Sequence, residues 1–115
     1  MSVIESYSFG RMVIAGESFS QDVIIFPDSR ILCPWWRKEG HRLHISDIES
    51  LIGSGPEIIV AGIGSSGLMQ PTHEVIEYLE QRKIEFVAQR TGEAIETYNR
   101  LTGSRKTGGC FHLTC

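Results

Sequence analysis

The sequence has little of what marks a secreted or membrane-bound protein. Its three cysteines, Cys33, Cys110 and Cys115, form no CxxC pair and are odd in number, so we expect free thiols in a reducing compartment. The first ten residues lack the basic start and apolar run of a signal peptide, and no apolar stretch approaches the roughly 20 residues that span a bilayer. These absences predict a cytoplasmic protein without a membrane partner.

Charge and composition narrow the class further. The formal net charge is −3 and the basic residues are scattered, which argues against a nucleic-acid partner. With 41% hydrophobic residues the chain is not disordered. Its 115 residues contain no repeat or linker, so they fit a single globular domain over 1–115 that folds without disulfides or a metal.

The first half of the chain predicts β-structure followed by one short helix. Strands are predicted over 3–9, 12–15 and 23–26, with extended structure over 31–36. Ser46 and Glu49 form a capping box, which predicts a helix that ends at Gly53.

The second half alternates strands and helices. A buried strand over 57–61, a helix from near Pro71 and a strand over 84–88 predict a right-handed βαβ unit with parallel strands. A further helix is predicted from the N-cap Thr91 to Leu101. A strand over 108–115 then alternates, with one face formed by Cys110, His112 and Thr114 and the other by Phe111, Leu113 and Cys115.

A literal GxGxxG pattern lies over residues 62–67, between a predicted strand and a predicted helix, as in a dinucleotide fingerprint. The fingerprint is incomplete, because Pro71 sits four residues beyond Gly67, so that the helix is expected to start only after the glycines. Gln89-Arg90 also stands where an acidic residue is expected. Arg90 would suit a 2′-phosphate instead. No lysine follows Gly67 as in a Walker A loop, and the pattern is not the GxSxG of a nucleophile elbow.

Two interpretations of this glycine loop (62–67) remain. Its amides and the following helix start could hold an anion or a nucleotide-like ligand, with Arg37 or Arg90 matching the charge. Alternatively the glycines serve a tight turn between strand and helix, which we favour. The candidate ligand-binding residues are Gly62, Gly64, Ser65, Ser66, Gly67 and Arg90.

Trp35, Trp36 and Arg37 form the candidate partner-binding segment. Neighbouring side chains of a strand face opposite ways, so one indole can enter the core while the other faces outward. In a layered α/β fold, helices could instead cover both. Because tryptophan and arginine are common at binding hot spots, an exposed indole here would indicate a protein-binding surface.

The histidines and cysteines predict no catalytic or metal site. His41 and His44 are spaced HxxH but have no carboxylate or cysteine partner at metal-site spacing. Cys110, His112 and Cys115 cannot all face one way on a strand, and no carboxylate can be assigned to orient His112. We therefore predict no metal and no cofactor, and we expect no enzymatic activity. The candidates that could still carry a reaction are Ser65, Cys110 and His112.

Five segments together form a recognisable signature: Trp36-Arg37-x-x-Gly40, the strand and turn over 59–64, Pro71 before a helix, Thr91-x-x-Ala94-x-x-x-Tyr98-Asn99-x-Leu101, and Phe111-His112-Leu113-Thr114-Cys115. The combination resembles a family of small domains that includes the adipogenesis-associated protein and, more distantly, the mitochondrial complex I assembly factor three. The ending is more similar to the adipogenesis-associated branch. The resemblance implies no agreed catalytic residues, and its assembly-factor branch works through protein partners.

The expected fold is α/β. The resemblance implies a single three-layer domain with a central mixed β-sheet, flanking helices, a β-rich N-terminal part and an antiparallel C-terminal strand, beside the one βαβ unit. The expected function is a non-enzymatic cytosolic module for protein interaction, similar to an assembly factor, with an unidentified protein partner or a second copy of the chain. The alternative is a small-molecule module that uses the glycine loop.

Overall fold

Ten strands and three helices are formed by residues 3–115, the part of the chain that this computed structural model describes. The strands are β1 (Ile4–Ser8), β2 (Arg11–Ile14), β3 (Glu17–Phe19), β4 (Val23–Ile25), β5 (Ile31–Leu32), β6 (Arg42–Leu43), β7 (Ile58–Ile63), β8 (Gln70–Pro71), β9 (Glu85–Gln89) and β10 (Thr107–His112). The helices are α1 (Glu49–Gly53), α2 (His73–Gln81) and α3 (Thr91–Leu101), and a 3₁₀ turn, Ile45–Ile48, precedes α1. Within the described residues no helix is long and apolar enough to cross a membrane.

The central sheet has five strands in the order β5, β4, β10, β7, β9. β7, α2 and β9 form the predicted βαβ unit, since β7 and β9 are adjacent and parallel. β10 lies between β4 and β7, antiparallel to the first and parallel to the second. The expectation of an antiparallel C-terminal strand is therefore correct on one side of β10 and wrong on the other, and the sheet is mixed.

Two separate hydrophobic clusters lie on the two faces of the central sheet, which confirms the three-layer α/β fold. The first packs α1 and α2 against the sheet and includes Ile59, Leu79 and Cys110. The second packs α3 and the antiparallel sheet β1–β2–β3 against the opposite face and includes Tyr98 and Phe111.

The predicted alternation along β10 is confirmed for Cys110 and Phe111, which belong to different clusters. The predicted extent, 108–115, is wrong at its end, because β10 stops at His112 and Cys115 lies beside His41 instead of on the Phe111 face.

The Asn99 side chain connects α3 to the N-terminal sheet, β1–β2–β3. Its side-chain oxygen accepts from the Ile4 amide at 2.9 Å, and its side-chain nitrogen donates to the Ile4 carbonyl at 2.8 Å. Ile4 pairs with Ile14 of β2 on one side, and because β1 is an edge strand of its sheet, Asn99 supplies the partner that no strand provides on the other side. Tyr98 and Asn99 of the signature helix therefore hold the fold together.

The extended structure predicted over 31–36 is shorter than expected. Only Ile31–Leu32 pair as β5, because the chain then turns away from the sheet edge and buries Trp35. The Trp35 amide donates to the Asp22 carbonyl at 2.8 Å, a bond that fixes this turn beside β4. The short strands β3, β6 and β8 were not predicted, since two or three residues carry no periodicity.

The capping box predicted at Ser46 and Glu49 is wrong. The carboxylate of Asp47 instead accepts from the His44 amide at 2.7 Å and starts the 3₁₀ turn two residues earlier. His44 is the N-cap of this turn and Asp47 its N3 residue, whose carboxylate reaches back to the N-cap amide as the N3 glutamate of a capping box does. Histidine is not a preferred N-cap residue, so the sequence pattern favours the register that starts at Ser46.

Candidate functional site

The carboxyl ends of β7 and β10 lie side by side, because the two strands are parallel neighbours. The glycine loop leaves the sheet after β7, and residues 113–115 leave it after β10. Two hydrogen bonds join these segments: the Ser65 amide donates to the Thr114 carbonyl at 2.7 Å, and the Leu68 amide donates to the Cys115 carbonyl at 3.0 Å. The carboxyl edge is where α/β sheets usually place functional residues.

Amides of the glycine loop donate hydrogen bonds to other groups of the protein. The Gly64 amide donates to Thr91 Oγ1 at 2.9 Å, and the Gly67 amide donates to the Gly64 carbonyl at 3.2 Å. Gly64 has a φ of +103°, and a Cβ there would collide with the backbone carbonyl of Cys115. The geometry agrees with the tight-turn interpretation, since the amides of Gly64, Ser65 and Gly67 are not available to an anion.

The remaining candidate ligand residues are dispersed around this loop. Gly62 is buried, and a Cβ there would lie 2.8 Å from the ring of Phe111. Ser66 and Arg90 are exposed, and the aliphatic stem of Arg90 lies beside Gly67. Ligand binding by these residues stays a prediction.

Thr91 has a different role from the predicted N-cap. It is the first residue of α3, the N-cap position belongs to Arg90, and the Thr91 hydroxyl turns inward. This hydroxyl accepts from the Gly64 amide and donates to the His112 carbonyl at 2.6 Å. A single buried hydroxyl thus connects the glycine loop to the end of β10.

Asp22, Arg37 and His112 form a buried polar cluster at the same edge of the sheet. Asp22 Oδ2 lies 2.7 Å from Arg37 Nη1 and 2.8 Å from His112 Nδ1, while Asp22 Oδ1 accepts from the Leu113 amide at 2.8 Å. Arg37 Nη2 also donates to the Gly40 carbonyl at 3.2 Å. The Arg37 and His112 side chains are only 6% and 8% exposed, so their orientations are fixed.

The proton positions in this polar cluster follow from its partners. Burial favours a higher pKa for Asp22, but the hydrogen bonds from His112, Leu113 and Arg37 outweigh it and leave the Asp22 pKa below its ordinary value. Arg37 Nη2 also lies 3.0 Å from His112 Nδ1, but it has the Gly40 carbonyl as an acceptor. The Asp22 carboxylate lies closer to Nδ1, at 2.8 Å, and can only accept, so we assign the ring proton to Nδ1, which donates to Asp22. In the neutral imidazole the lone pair then lies on Nε2, which is buried without a hydrogen-bond partner in the described part of the chain.

The two tryptophans have opposite environments, which agrees with the interpretation of one inward and one outward indole and not with the alternative that helices cover both. Trp35 is 3% exposed, donates from Nε1 to the Asp47 carbonyl at 2.8 Å, and carries the Arg37 guanidinium 4.8 Å above its ring. Trp36 is 77% exposed. It borders a cleft of about 360 Å³ whose other lining residues include Ser20, Gln21, Asp22, Pro34 and Thr114.

His41 and Cys115 lie next to the polar cluster. One potential ligand atom from each of His41, His112 and Cys115 lies within 4.8 Å of the other two, and Cys115 Sγ is 3.6 Å from His41 Nε2. His44, the other histidine of the HxxH pair, contacts Glu39 at 2.6 Å instead. Cys110 is fully buried, which raises the pKa of its thiol to about 12 by desolvation, and it is not part of this group.

Sequence reasoning missed Asp22, His41 and Cys115 as members of one site. The argument that strand alternation separates these side chains is correct for Cys110, which belongs to the first core cluster. Cys115 lies beyond the end of β10, so strand alternation does not determine where its side chain points. One signal was available, since the signature segments Trp36-Arg37-x-x-Gly40 and 111–115 supply most of the residues that meet here.

Residues 4–112 match the model of a protein family whose description is "Protein of unknown function (DUF498/DUF598)". The chain belongs to this family. The resemblance to a family of small domains of unknown function is confirmed at that level. Membership in the adipogenesis-associated branch stays a prediction.

Solved structures of several bacterial and archaeal proteins share the fold. The conserved hypothetical protein PH1505 from Pyrococcus horikoshii OT3 has a TM-score of 0.84 at 24% identity, with 97% of this chain and 98% of that chain covered. A protein named MT938 has a TM-score of 0.82 at 23% identity, with both chains covered over 100%. An outer membrane protein from Bartonella henselae has a TM-score of 0.82 at 22% identity, covering 99% of this chain and 96% of that one. At these identities the likeness establishes the α/β fold.

Proposed function

We propose that this family member is a protein-interaction module whose contact surface is centred on Trp36. The observation that carries the proposal is an indole that is 77% exposed between two anchored neighbours. Trp35 is buried and Arg37 is held by Asp22 and Gly40. A partner that covers Trp36 would therefore bury a large aromatic side chain with little backbone ordering, which is how binding hot spots gain affinity.

The residues that line the cleft beside Trp36 indicate what kind of partner surface would bind there. Pro34 and the Trp36 indole supply apolar lining, while Ser20 and Gln21 supply polar groups. This composition suits a segment of a folded or flexible partner protein that places an apolar side chain against Trp36 and its own backbone polar groups near Ser20 and Gln21.

Photocrosslinking in the native cell tests the surface. A photoreactive phenylalanine analogue would replace Trp36 in one variant and Ile76, which is 43% exposed on α2 and outside the cleft, in a matched control. We expect a reproducible crosslinked protein at position 36 and none of the same mass at position 76. A second copy of this chain as the crosslinked species would support the same surface with a homodimer as the complex.

The affinity of the purified pair then decides the proposal. We expect Trp36→Ala to weaken binding by at least about tenfold, which is about 1.4 kcal/mol, while Ile76→Ala leaves the Kd unchanged. Equal crosslinking at both positions, or a Kd that ignores Trp36→Ala, would overturn the proposed contact surface.

A further inference from the structure

The side chain of His112 has an unmet bonding capacity. Its Nδ1 donates to Asp22, and its Nε2 is buried with no partner among residues 3–115. Buried polar atoms in folded proteins nearly always have a partner, so an unpartnered nitrogen on a fixed ring requires an explanation. The neutral ring presents a lone pair there, which can accept a proton or bind a metal ion.

Two further ligand-type side chains lie around this imidazole. His41 is exposed and Cys115 half-exposed, and one potential ligand atom of each lies within 4.8 Å of one on His112. For zinc, with Zn–N bonds of about 2.0–2.1 Å and Zn–S bonds of about 2.3 Å, a nitrogen and a sulfur ligand of one tetrahedral ion lie roughly 3.5 Å apart. The observed separation of Cys115 Sγ and His41 Nε2, 3.6 Å, matches that edge.

Asp22 orients His112 by accepting a hydrogen bond from the other ring nitrogen, Nδ1. Histidines that bind metals usually donate their other ring N–H to a carboxylate, which fixes the tautomer and raises the basicity of the ligating nitrogen. Asp22 does this for His112 at 2.8 Å and is itself held by Arg37 and by the Leu113 amide. The buried imidazole is thus held in one orientation, and the exposed His41 and half-exposed Cys115 supply the two surface ligands.

We propose that His41, His112 and Cys115 bind a divalent transition-metal ion of the zinc type. Two imidazoles and a thiolate favour a borderline metal over Mg²⁺ or Ca²⁺, which take oxygen ligands. Three protein ligands leave the fourth tetrahedral position to water. The site is independent of partner binding at Trp36, so either proposal stands if the other fails.

Titration of the metal-free, untagged and reduced full chain with Zn²⁺, in competition with a chromophoric chelator, tests the site. We expect one equivalent to bind per chain. His41→Asn and Cys115→Ser alter surface residues that the fold does not need, and each should reduce the affinity at least about tenfold. Asp22→Asn should weaken binding by about 10–100-fold through His112.

The matched controls replace one histidine and one cysteine that lie outside the proposed metal site. His73→Asn on α2 and Cys33→Ser beside β5 should leave the zinc affinity unchanged. As a second readout, Co²⁺ added to the wild-type chain should give a thiolate-to-metal charge-transfer absorption that Cys115→Ser abolishes and Cys33→Ser retains. The absence of stoichiometric Zn²⁺ binding, or binding that ignores both His41→Asn and Cys115→Ser, would overturn the proposal.

Discussion

Two neighbouring regions at the carboxyl edge of the central sheet differ in a way that their sequences do not suggest. The glycine loop has a pattern associated with nucleotide binding, yet its amides at Gly64, Ser65 and Gly67 bond within the protein. The histidine region, formed by Asp22, His41, His112 and Cys115, has no complete metal-site or catalytic spacing in the sequence, yet it leaves His112 Nε2 buried and without a partner among the described residues. The comparison teaches that unmet bonding capacity, rather than resemblance to a motif, indicates where a ligand can bind.

The two regions also depend on each other. Gly64 leaves room for the Cys115 backbone because it has no side chain, and in this position Cys115 lies beside His41. Thr91 couples the same regions through one hydroxyl. The loop is therefore a support for the histidine region, and the following changes, ordered from the largest expected effect on stability to the smallest, test that relationship.

Gly64→Val should have the largest effect. A side chain at a φ of +103° is strained, and its Cβ would collide with the Cys115 backbone, so we expect a loss of about 4 kcal/mol in the free energy of unfolding, measured by urea denaturation. Gly92→Ala is the control, because nothing lies within 4 Å of a Cβ there and α3 should gain up to about 1 kcal/mol. If the two variants were equally stable, the loop would not be the support described.

Asp22→Asn should follow, because it leaves Arg37 and His112 without their shared carboxylate. We expect a loss of about 3 kcal/mol at neutral pH. The pKa of Asp22 is lowered in the folded state, so its contribution is present above the unfolded-state value of about 3.9 and is lost as the pH falls through the folded-state value.

Urea unfolding of wild type and Asp22→Asn across pH measures this dependence. The stability difference between the two proteins should persist down to about pH 4 and close below it. Asp28→Asn, which alters an exposed carboxylate paired with Arg30, is the control and should change stability little at any pH. A difference that stays constant into strong acid would contradict an ionised Asp22 at the centre of the cluster.

Thr91→Val removes the hydroxyl that joins the two regions and keeps the shape of the side chain. The Gly64 amide and the His112 carbonyl would both lose a buried partner, so we expect a loss of about 2 kcal/mol. Thr97→Val removes a similar hydroxyl whose acceptor, Gln89, is half-exposed and can turn to water. Its smaller loss in the same urea experiment separates the coupling from the general effect of deleting a threonine hydroxyl.

Thiol reactivity distinguishes the histidine region from the core of the central sheet, with almost no change in stability. Because Cys110 is fully buried and desolvation raises its pKa to about 12, it should resist iodoacetamide in the native protein. Cys115 is half-exposed and should react, as should Cys33 at its own position. Mass spectrometry of the labelled peptides measures both. Labelling of Cys110 as fast as Cys115 would contradict the described packing of β10.

Sequence patterns predicted the fold much better than the site. The apolar run at β7 and the helical spacing of α2 and α3 are local, and each identifies an element and its buried face. Trp35 and Trp36 were separated correctly, although by a turn rather than by a strand. The sequence predicts Thr91 as the N-cap of its own helix, because a threonine hydroxyl commonly bonds nearby backbone groups. In the structure the hydroxyl bonds the Gly64 amide of another segment instead, a choice that only the tertiary structure determines.

The site itself could not be assembled from local patterns. Asp22 and His112 are separated by 90 positions, and Arg37 and His112 by 75. Their meeting depends on the insertion of β10 between β4 and β7. No spacing rule connects residues whose proximity is produced by strand order.

That strand order has a consequence for how the chain acquires its structure. β10 follows every other strand of the central sheet in sequence but lies at its centre. During synthesis, β4 and β7 have no common neighbour until residues 107–112 leave the ribosome, so both keep unpaired backbone edges and both apolar faces stay incomplete. Closing contacts this distant in sequence is slow, and open strand edges invite pairing with other chains. The nascent protein should therefore depend on chaperones until its central strand is inserted.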